Sequence, residues 1–289
     1  VAARVSDLLG RLSLAEKVGL MFHTVIEAGH DGALLESPGR ISKSPTSTVV
    51  SGKLMNHFNV HALNDAGAAA RWSNNLQALA EQTPHGIPVT ISSDPRHAFI
   101  ENSGVSFAAT MMSQWPEMLG LAALADADRV RRFAQVVNAE YRAVGIRAAL
   151  HPTLDLATEP RWGRQAGTFG SDPETVTRLT LAYLDGLQGA EGGPASVACT
   201  CKHFPRGGPQ AIAAGASAIM PYYGRPVGLV IDGEPIEQVG FGYNAQIVAG
   251  LLRRRLRFDG VVLTDWELVN DNHVGDQVLP ARAWGVEHL

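Results

Sequence analysis

The chain of 289 residues contains only two cysteines, Cys199 and Cys201. They stand two apart in an apolar run that reads as a strand, so they share a face and are badly placed to pair with each other. No cluster of metal ligands accompanies them, and both read as core. No apolar stretch approaches the ~20 residues that a membrane span needs. No long run of either charge occurs, and the net charge is −4. The one basic cluster, Arg253-Arg254-Arg255 with Arg257, falls at the end of a predicted helix, where it complements the helix dipole. Neither nucleic acid nor a membrane is therefore expected as a partner. No predicted strand is followed by Gly-x-Gly-x-x-Gly, which removes the phosphate fingerprint of dinucleotide-binding sheets. No cofactor and no metal are expected. Val1-Ala-Ala-Arg4 lacks a signal-peptide pattern. That leaves a cytoplasmic protein, or a secreted or periplasmic one whose leader has been removed.

What is present is ordinary globular material, 45% hydrophobic and 18% charged, enough for a large core. Ser13-Leu-Ala-Glu16 reads as a capping box opening a helix over Leu14 to Met21. Residues 29–53, rich in Gly, Ser, Pro and Thr, read as a long loop. Helical spacing recurs over Ala62 to Glu81, over Asp126 to Val144, where Gly145 stops it, and behind a second capping box at Ser171-Asp-Pro-Glu174. Asn244 caps a further helix carrying Ile247, Val248, Leu251 and Leu252. Short strands fall between, at Phe58–Val60, Ile87–Ser92, Ile146–Leu150, Ala195–Cys201, Ser217–Met220 and Val261–Leu263, and Ala283–Leu289 can start another. Strands alternating with helices mean parallel strands with helical crossovers. The expected fold is one α/β (β/α)8 TIM-type barrel over residues 1–289, in which chemistry sits where strands end. Asp94, His151, Lys202, His203, Tyr223 and Asp265 all follow predicted strands. One segment fits poorly. Only Pro205 to Ala216 separates two strands, barely two turns of helix, so residues are expected to be missing between about Pro209 and Ala211.

The run Val261-Val-Leu-Thr-Asp265-Trp266 suits a strand buried on both faces and ending in a carboxylate and an aromatic. On position alone Asp265 reads equally as a helix cap. The context becomes specific in three motifs. Lys202-His-Phe-Pro-Arg-Gly-Gly208 resembles the KHF-P-G-G segment of family 3 glycoside hydrolases. Glu159-Pro-Arg-Trp-Gly-Arg164 is similar to that family's PRWGR loop, and Val261–Trp266 to its segment bearing the catalytic aspartate. The resemblance runs from about Leu12 to Leu289, and β-glucosidase-type members are the most similar. Arg206 stands where glycine is common, the loop after Gly208 is short, and the family's second α/β domain is not present in this chain.

The resemblance implies a retaining glycoside hydrolase cleaving terminal β-glucosidic bonds through a covalent glycosyl-aspartate. Asp265 is then the nucleophile, with Asp94, Arg161, Lys202, His203, Met220 and Tyr223 as glucosyl contacts. Residue chemistry agrees. A positive charge develops at the ring in the transition state, which a carboxylate beneath it stabilises. Asp94 can accept from two hydroxyls; Arg161, Lys202 and His203 can donate. Trp266 can wall the sugar's C–H face. Plainer roles stand beside these: an ion-paired rim for Lys202 and His203, core for Met220 and Tyr223, and loop bracing against Asp155 or Glu159 for Arg161 and Arg164. Glu267 diverges in direction from Asp265 and is not expected to be the acid/base. A second domain or partner subunit is expected to supply that group. The alternatives are a β-N-acetylhexosaminidase of the same family and a non-catalytic carbohydrate-binding barrel.

Overall fold

The computed structural model describes residues 2–61, 63–99, 101, 106–107, 109–189, 192–205 and 208–268, together with Asn272–Val274 and Gln277–Leu279. Arg206 and the tail 283–289, expected to start a strand, lie outside the described residues. Seven strands pair in parallel: β1 (His23–Ile26), β2 (His57–Val60), β3 (Thr90–Ser93), β4 (Ile146–Ala149), β5 (Ala198–Phe204), β6 (Ala218–Pro221) and β9 (Val261–Val262). Between the last two lies a small antiparallel hairpin, β7 (Val230–Ile231) and β8 (Glu234–Pro235). No eighth parallel strand is found among the described residues. The helices are α1 (Ala2–Arg11), α2 (Leu14–Gly19), α3 (Ala66–Glu81), α4 (Met118–Ala122), α5 (Ala127–Ala143), α6 (Pro173–Gln188) and α7 (Gly208–Ala213), with a wide-turned π-helix at Gln246–Arg255. None of them is long and apolar enough to cross a membrane. The chain falls into two compact units.

The first unit comprises Val1–Pro116, Val136–Ala149 and Ala195–Val197. Its sheet runs β1-β2-β3-β4, each strand parallel to the next. Phe58, Val60, Trp72, Leu76, Ile91, Tyr141 and Ile146 are fully buried. Burial of an apolar side chain of this size contributes about 1.5–3 kcal/mol. The capping box forms as the sequence reads: the Ser13 hydroxyl accepts from the Glu16 N–H at 3.3 Å and Glu16 Oε2 accepts from the Ser13 N–H at 2.8 Å. The loop 29–53 is irregular apart from turns at His30–Gly32 and Thr48–Gly52. Buried Glu27, just past β1, pins it by accepting from the Ile41 and Ser42 N–H groups and the Ser42 hydroxyl. Gly145 stops α5 for two reasons. Its φ is +86°, and a Cβ there would lie 1.9 Å from the Ser73 hydroxyl oxygen.

The second unit comprises Glu117–Gln135, Leu150–Pro194 and Ala198–Leu289. Its sheet runs β5-β6-β9, again parallel. Strand β5 lies further along the chain than the pattern predicted, so Lys202 and His203 are inside the strand rather than beyond it. Cys199 and Cys201 are buried on it and form no disulfide. The cap of α6 is Asp172, not Ser171; Asp172 Oδ2 accepts from the Thr175 N–H at 2.8 Å. Val176, Leu179, Tyr183 and Leu187 of α6 are buried, as their spacing predicts. The chain passes from β5 to β6 through α7, six residues long. Asn244 caps the π-helix, its Oδ1 accepting from the Ile247 N–H at 3.0 Å. Strand β9 departs from expectation. Val261 is 61% exposed, because β9 pairs with β6 alone among the described strands and its outer face is open.

Candidate active site

The carboxyl ends of β5, β6 and β9 carry a polar cluster inside the second unit. In the β5–β6 register Lys202 faces Met220 and Phe204 faces Pro221, so His203 falls at an irregularity between two paired positions. Such a break re-aims a side chain. The segment after β4 runs beside β5, with the Lys202 N–H donating to the Pro152 carbonyl at 3.1 Å. This pairing brings Asp155 to His203: Asp155 Oδ2 lies 2.7 Å from His203 Nδ1, and both residues are fully buried. On the other side of the ring, the Arg164 guanidinium nitrogen Nη2 lies 2.9 Å from His203 Nε2.

Those two contacts fix the histidine's tautomer. A guanidinium can only donate, so Nε2 presents its lone pair. A carboxylate can only accept, so Nδ1 carries the proton. His203 is thus a neutral imidazole aligned between Asp155 and Arg164, with the Tyr222 ring edge-on at 5.6 Å.

Asp265 stands just beyond β9 and is 5% exposed. Its Oδ1 accepts from the Trp266 N–H at 2.8 Å. Its Oδ2 is buried and has no hydrogen-bond partner. His203 Nε2 is 3.7 Å away and has no proton to give. A buried carboxylate oxygen left so is costly and calls for a purpose. Tyr223, at the end of β6, donates its hydroxyl to the Trp266 carbonyl at 2.9 Å. Burial, and then the charge of Asp265 beside it, push the Tyr223 phenol well above its usual range, so it remains a donor through neutral pH. Met220 and Lys202 are buried on their strands, and Trp266 is half-buried next to Asp265.

Arg161 stands apart from this cluster. Its side chain is 89% exposed and forks onto Glu159 at 2.8 and 3.0 Å. Arg164, three residues on in the same loop, is the arginine that reaches the histidine. Sequence reading gave Arg164 and Asp155 only a bracing role. The loop motif named both arginines, and a turn between Glu159 and Trp162 points them differently. Glu267 is exposed, at φ +59°.

Asp94 belongs to the first unit, just past β3. Asn59 Nδ2 donates to its Oδ2 at 3.0 Å, and the Tyr141 hydroxyl donates to its main-chain carbonyl at 3.0 Å. His151, which follows β4, lies 2.7 Å through Nδ1 from the Tyr183 hydroxyl and is buried. No group of three or more metal-ligating side chains is assembled among the described residues.

Solved structures of the same parallel α/β (β/α)8-type class overlay closely. The β-N-acetylhexosaminidase of Beutenbergia cavernae matches with a TM-score of 0.68 and 22% identity over 96% of this chain and 81% of its own. The Listeria innocua β-glucosidase in complex with glucose gives 0.68 and 22% over 93% of this chain and 38% of its own. The model of the glycosyl hydrolase family 3 N-terminal domain matches residues 32–218. The chain belongs to glycosyl hydrolase family 3. Beta-glucosidase C of Emericella nidulans is 46% identical over 322 positions, covering 100% of this chain and 50% of the relative. The periplasmic beta-glucosidase/beta-xylosidase of Dickeya chrysanthemi is 38% identical over 330 positions, with the same coverage. The chain thus spans about half the length of the curated relatives it matches.

Proposed function

We propose that the chain carries the nucleophile and the sugar-gripping groups of a retaining β-glucosidase. The observation that carries this reading is Asp265 Oδ2, a buried carboxylate oxygen with no hydrogen-bond partner. A nucleophile needs such a lone pair, and a purely structural aspartate does not. The relatives named beta-glucosidases support the substrate class. Asp265 Oδ2 attacks the anomeric carbon as the bond to the leaving oxygen breaks, giving a glycosyl-aspartate that water later hydrolyses. Its charge also stabilises the oxocarbenium character of both transition states. His203, held by Arg164, lies on its flank; the Trp266 N–H holds its Oδ1, and Tyr223 ties the Trp266 carbonyl. Lys202 and Met220 add sugar contacts within the second unit, and Asp94 is the hydroxyl-binding carboxylate of the first unit in this reading. Arg161 would join them only by leaving Glu159, so Arg164 is the better candidate for the arginine role. The acid/base comes from a second domain or a partner subunit.

The test is covalent trapping. A 2-fluoro β-glucoside slows both steps and should leave an adduct on Asp265, found by peptide mass mapping. Asp265→Ala should lower kcat/KM by at least about 10³-fold, roughly 4 kcal/mol of transition-state stabilisation. Label on another residue, or an inverted product, sinks the assignment. Faster turnover of N-acetylglucosaminides than of glucosides would move the substrate class to the hexosaminidases.

A further inference from the structure

We propose that Arg96 is a positioning residue that aims Asp94 at the sugar by tying the carboxyl ends of β2 and β3 together. The inference rests on the reading of Asp94 as a hydroxyl-binding carboxylate.

Arg96 has no exposed surface, so it cannot itself touch a sugar. Two of its guanidinium nitrogens are spent on the ends of β2 and β3, and Nη1 is buried without a hydrogen-bond partner. Nη2 donates to the Val60 carbonyl, and to the His61 carbonyl at 2.8 Å, which closes the end of β2. Nε donates to the Ser93 hydroxyl oxygen at 2.6 Å, at the end of β3. That hydroxyl in turn donates to the Asp94 carbonyl at 2.8 Å. The Tyr141 hydroxyl is a second donor to the same carbonyl. The Asp94 peptide is therefore clamped from two sides, and one of the clamps is aligned by Arg96.

The side chain of Asp94 is referred to β2 as well, through the Asn59 amide. A carboxylate that must meet two hydroxyls at hydrogen-bond distance tolerates little rotation, so the spacing of β2 and β3 ends sets its aim. A fully buried guanidinium is an expensive tie, since a charge leaves water. Burial works against its charge, while Tyr141 and Asp94 work for it, and the Phe107 ring lies 5.2 Å from its central carbon. Lysine at this position would keep the charge and lose the fork that reaches both strand ends.

The experiment is a double-mutant cycle in the active enzyme, using an aryl β-glucoside and the set of its singly deoxygenated analogues. Asp94→Asn should lower kcat/KM at least thirtyfold on the parent glucoside. The loss should shrink to a few-fold on analogues lacking the hydroxyls that Asp94 binds. Arg96→Lys should cost about tenfold with the same analogue pattern, and adding it to Asp94→Asn should cost no more than twofold further. Arg96→Ala should recover activity with added guanidinium. Ser93→Ala, which removes the alignment and keeps the guanidinium, should repeat the pattern in milder form and covers the case in which the arginine variants fail to fold. If Asp94→Asn is selective but Arg96→Lys and Ser93→Ala depress all analogues in equal proportion and additively, Arg96 is merely structural and the proposal falls alone. If Asp94→Asn itself changes kcat/KM less than threefold, the hydroxyl reading of Asp94 falls and takes this one with it.

Discussion

Arg161 and Arg164 carry the same charge on the same loop and differ in what they face. Arg164 lies 2.9 Å from a buried imidazole nitrogen, whereas Arg161 forks onto an exposed carboxylate. A charge-assisted hydrogen bond to a buried group is worth about 1.5–3 kcal/mol, and an exposed pair about 0–1. Arg164→Gln should therefore lower kcat/KM by one to two orders of magnitude, roughly 1.5–3 kcal/mol. Arg161→Gln should change it less than about threefold, within the range of a surface pair. The reverse order in steady-state kinetics would return the arginine role to Arg161. Asp155 follows the same logic. Asp155→Asn keeps an acceptor for His203 Nδ1–H and should be mild. Asp155→Ala leaves that buried N–H unsatisfied and should cost about 1–3 kcal/mol of stability, read by denaturant unfolding. Equal losses would mean that the negative charge matters rather than the acceptor. At this scale the sequence was legible as to place where a motif named a single residue: His203 Nε2 and Asp265 Oδ2 stand 3.7 Å apart. It was not legible where a turn chooses between two like residues three apart, because a turn's direction is a tertiary property. Asp155 was hidden for a related reason. Its partner stands 48 positions away, and only the pairing of the Pro152–Leu154 segment with Lys202 brings them together.

Among the elements, local signals were reliable where the cap chemistry is local. The Ser13–Glu16 box and the stop at Gly145 are each set by a few adjacent residues, whereas α3, expected from Ala62, starts at Ala66 behind an Asp65 cap that was not anticipated. Boundaries set by pairing partners shifted instead. Strand β5 extends to Phe204 because Pro221 pairs with it, and no periodicity within β5 itself could show that. Ser171 yielded to Asp172 because proline at the first helical position moves the helix start to the residue before it. The α2 cap also predicts acid lability. Two hydrogen bonds from Ser13 and one from His85 hold Glu16 down from its ordinary 4.5 to about 2. Its contribution to stability is thus present above pH 4.5 and is lost as pH falls toward 2. His23 on β1 acts at higher pH. Burial first, and then the charge of His57, lower it from 6.5 to about 4. Below pH 6.5 the unfolded chain takes up a proton that the folded chain refuses, so stability falls as pH drops from 6.5 toward 4. Glu16→Gln should flatten the slope of stability against pH between 4.5 and 2, and His23→Gln that between 6.5 and 4. Urea midpoints measured across this range decide it. Parallel curves for wild type and either variant would remove that group from the account.

For the whole molecule the decisive question is where the general acid comes from. Retaining hydrolysis needs a second carboxyl group about 5–5.5 Å from the nucleophile. Among the described residues of the unit that holds Asp265, Asp155 is fully buried and committed to His203, and Glu267 is exposed with its backbone turned to φ +59°. Neither is disposed to protonate a leaving oxygen. The curated relatives run to about twice the length of this chain, which gives a second domain as the natural source. The two halves of the mechanism should then separate by leaving group. A dinitrophenol departs without protonation, so a dinitrophenyl β-glucoside should still glycosylate Asp265 in residues 1–289 alone, seen as a burst of one equivalent of phenolate. An alkyl glucoside or cellobiose needs the acid, and its kcat/KM should fall by about 10²–10⁴, the usual worth of general acid catalysis. Deglycosylation needs the same group as a base, so the burst should be followed by slow turnover that azide accelerates, with glucosyl azide as the product. Extending the chain to the relatives' length should restore cellobiose hydrolysis and change the dinitrophenyl burst rate little. If residues 1–289 hydrolyse cellobiose as fast as the extended protein, the acid lies within them and the division of labour proposed here is wrong.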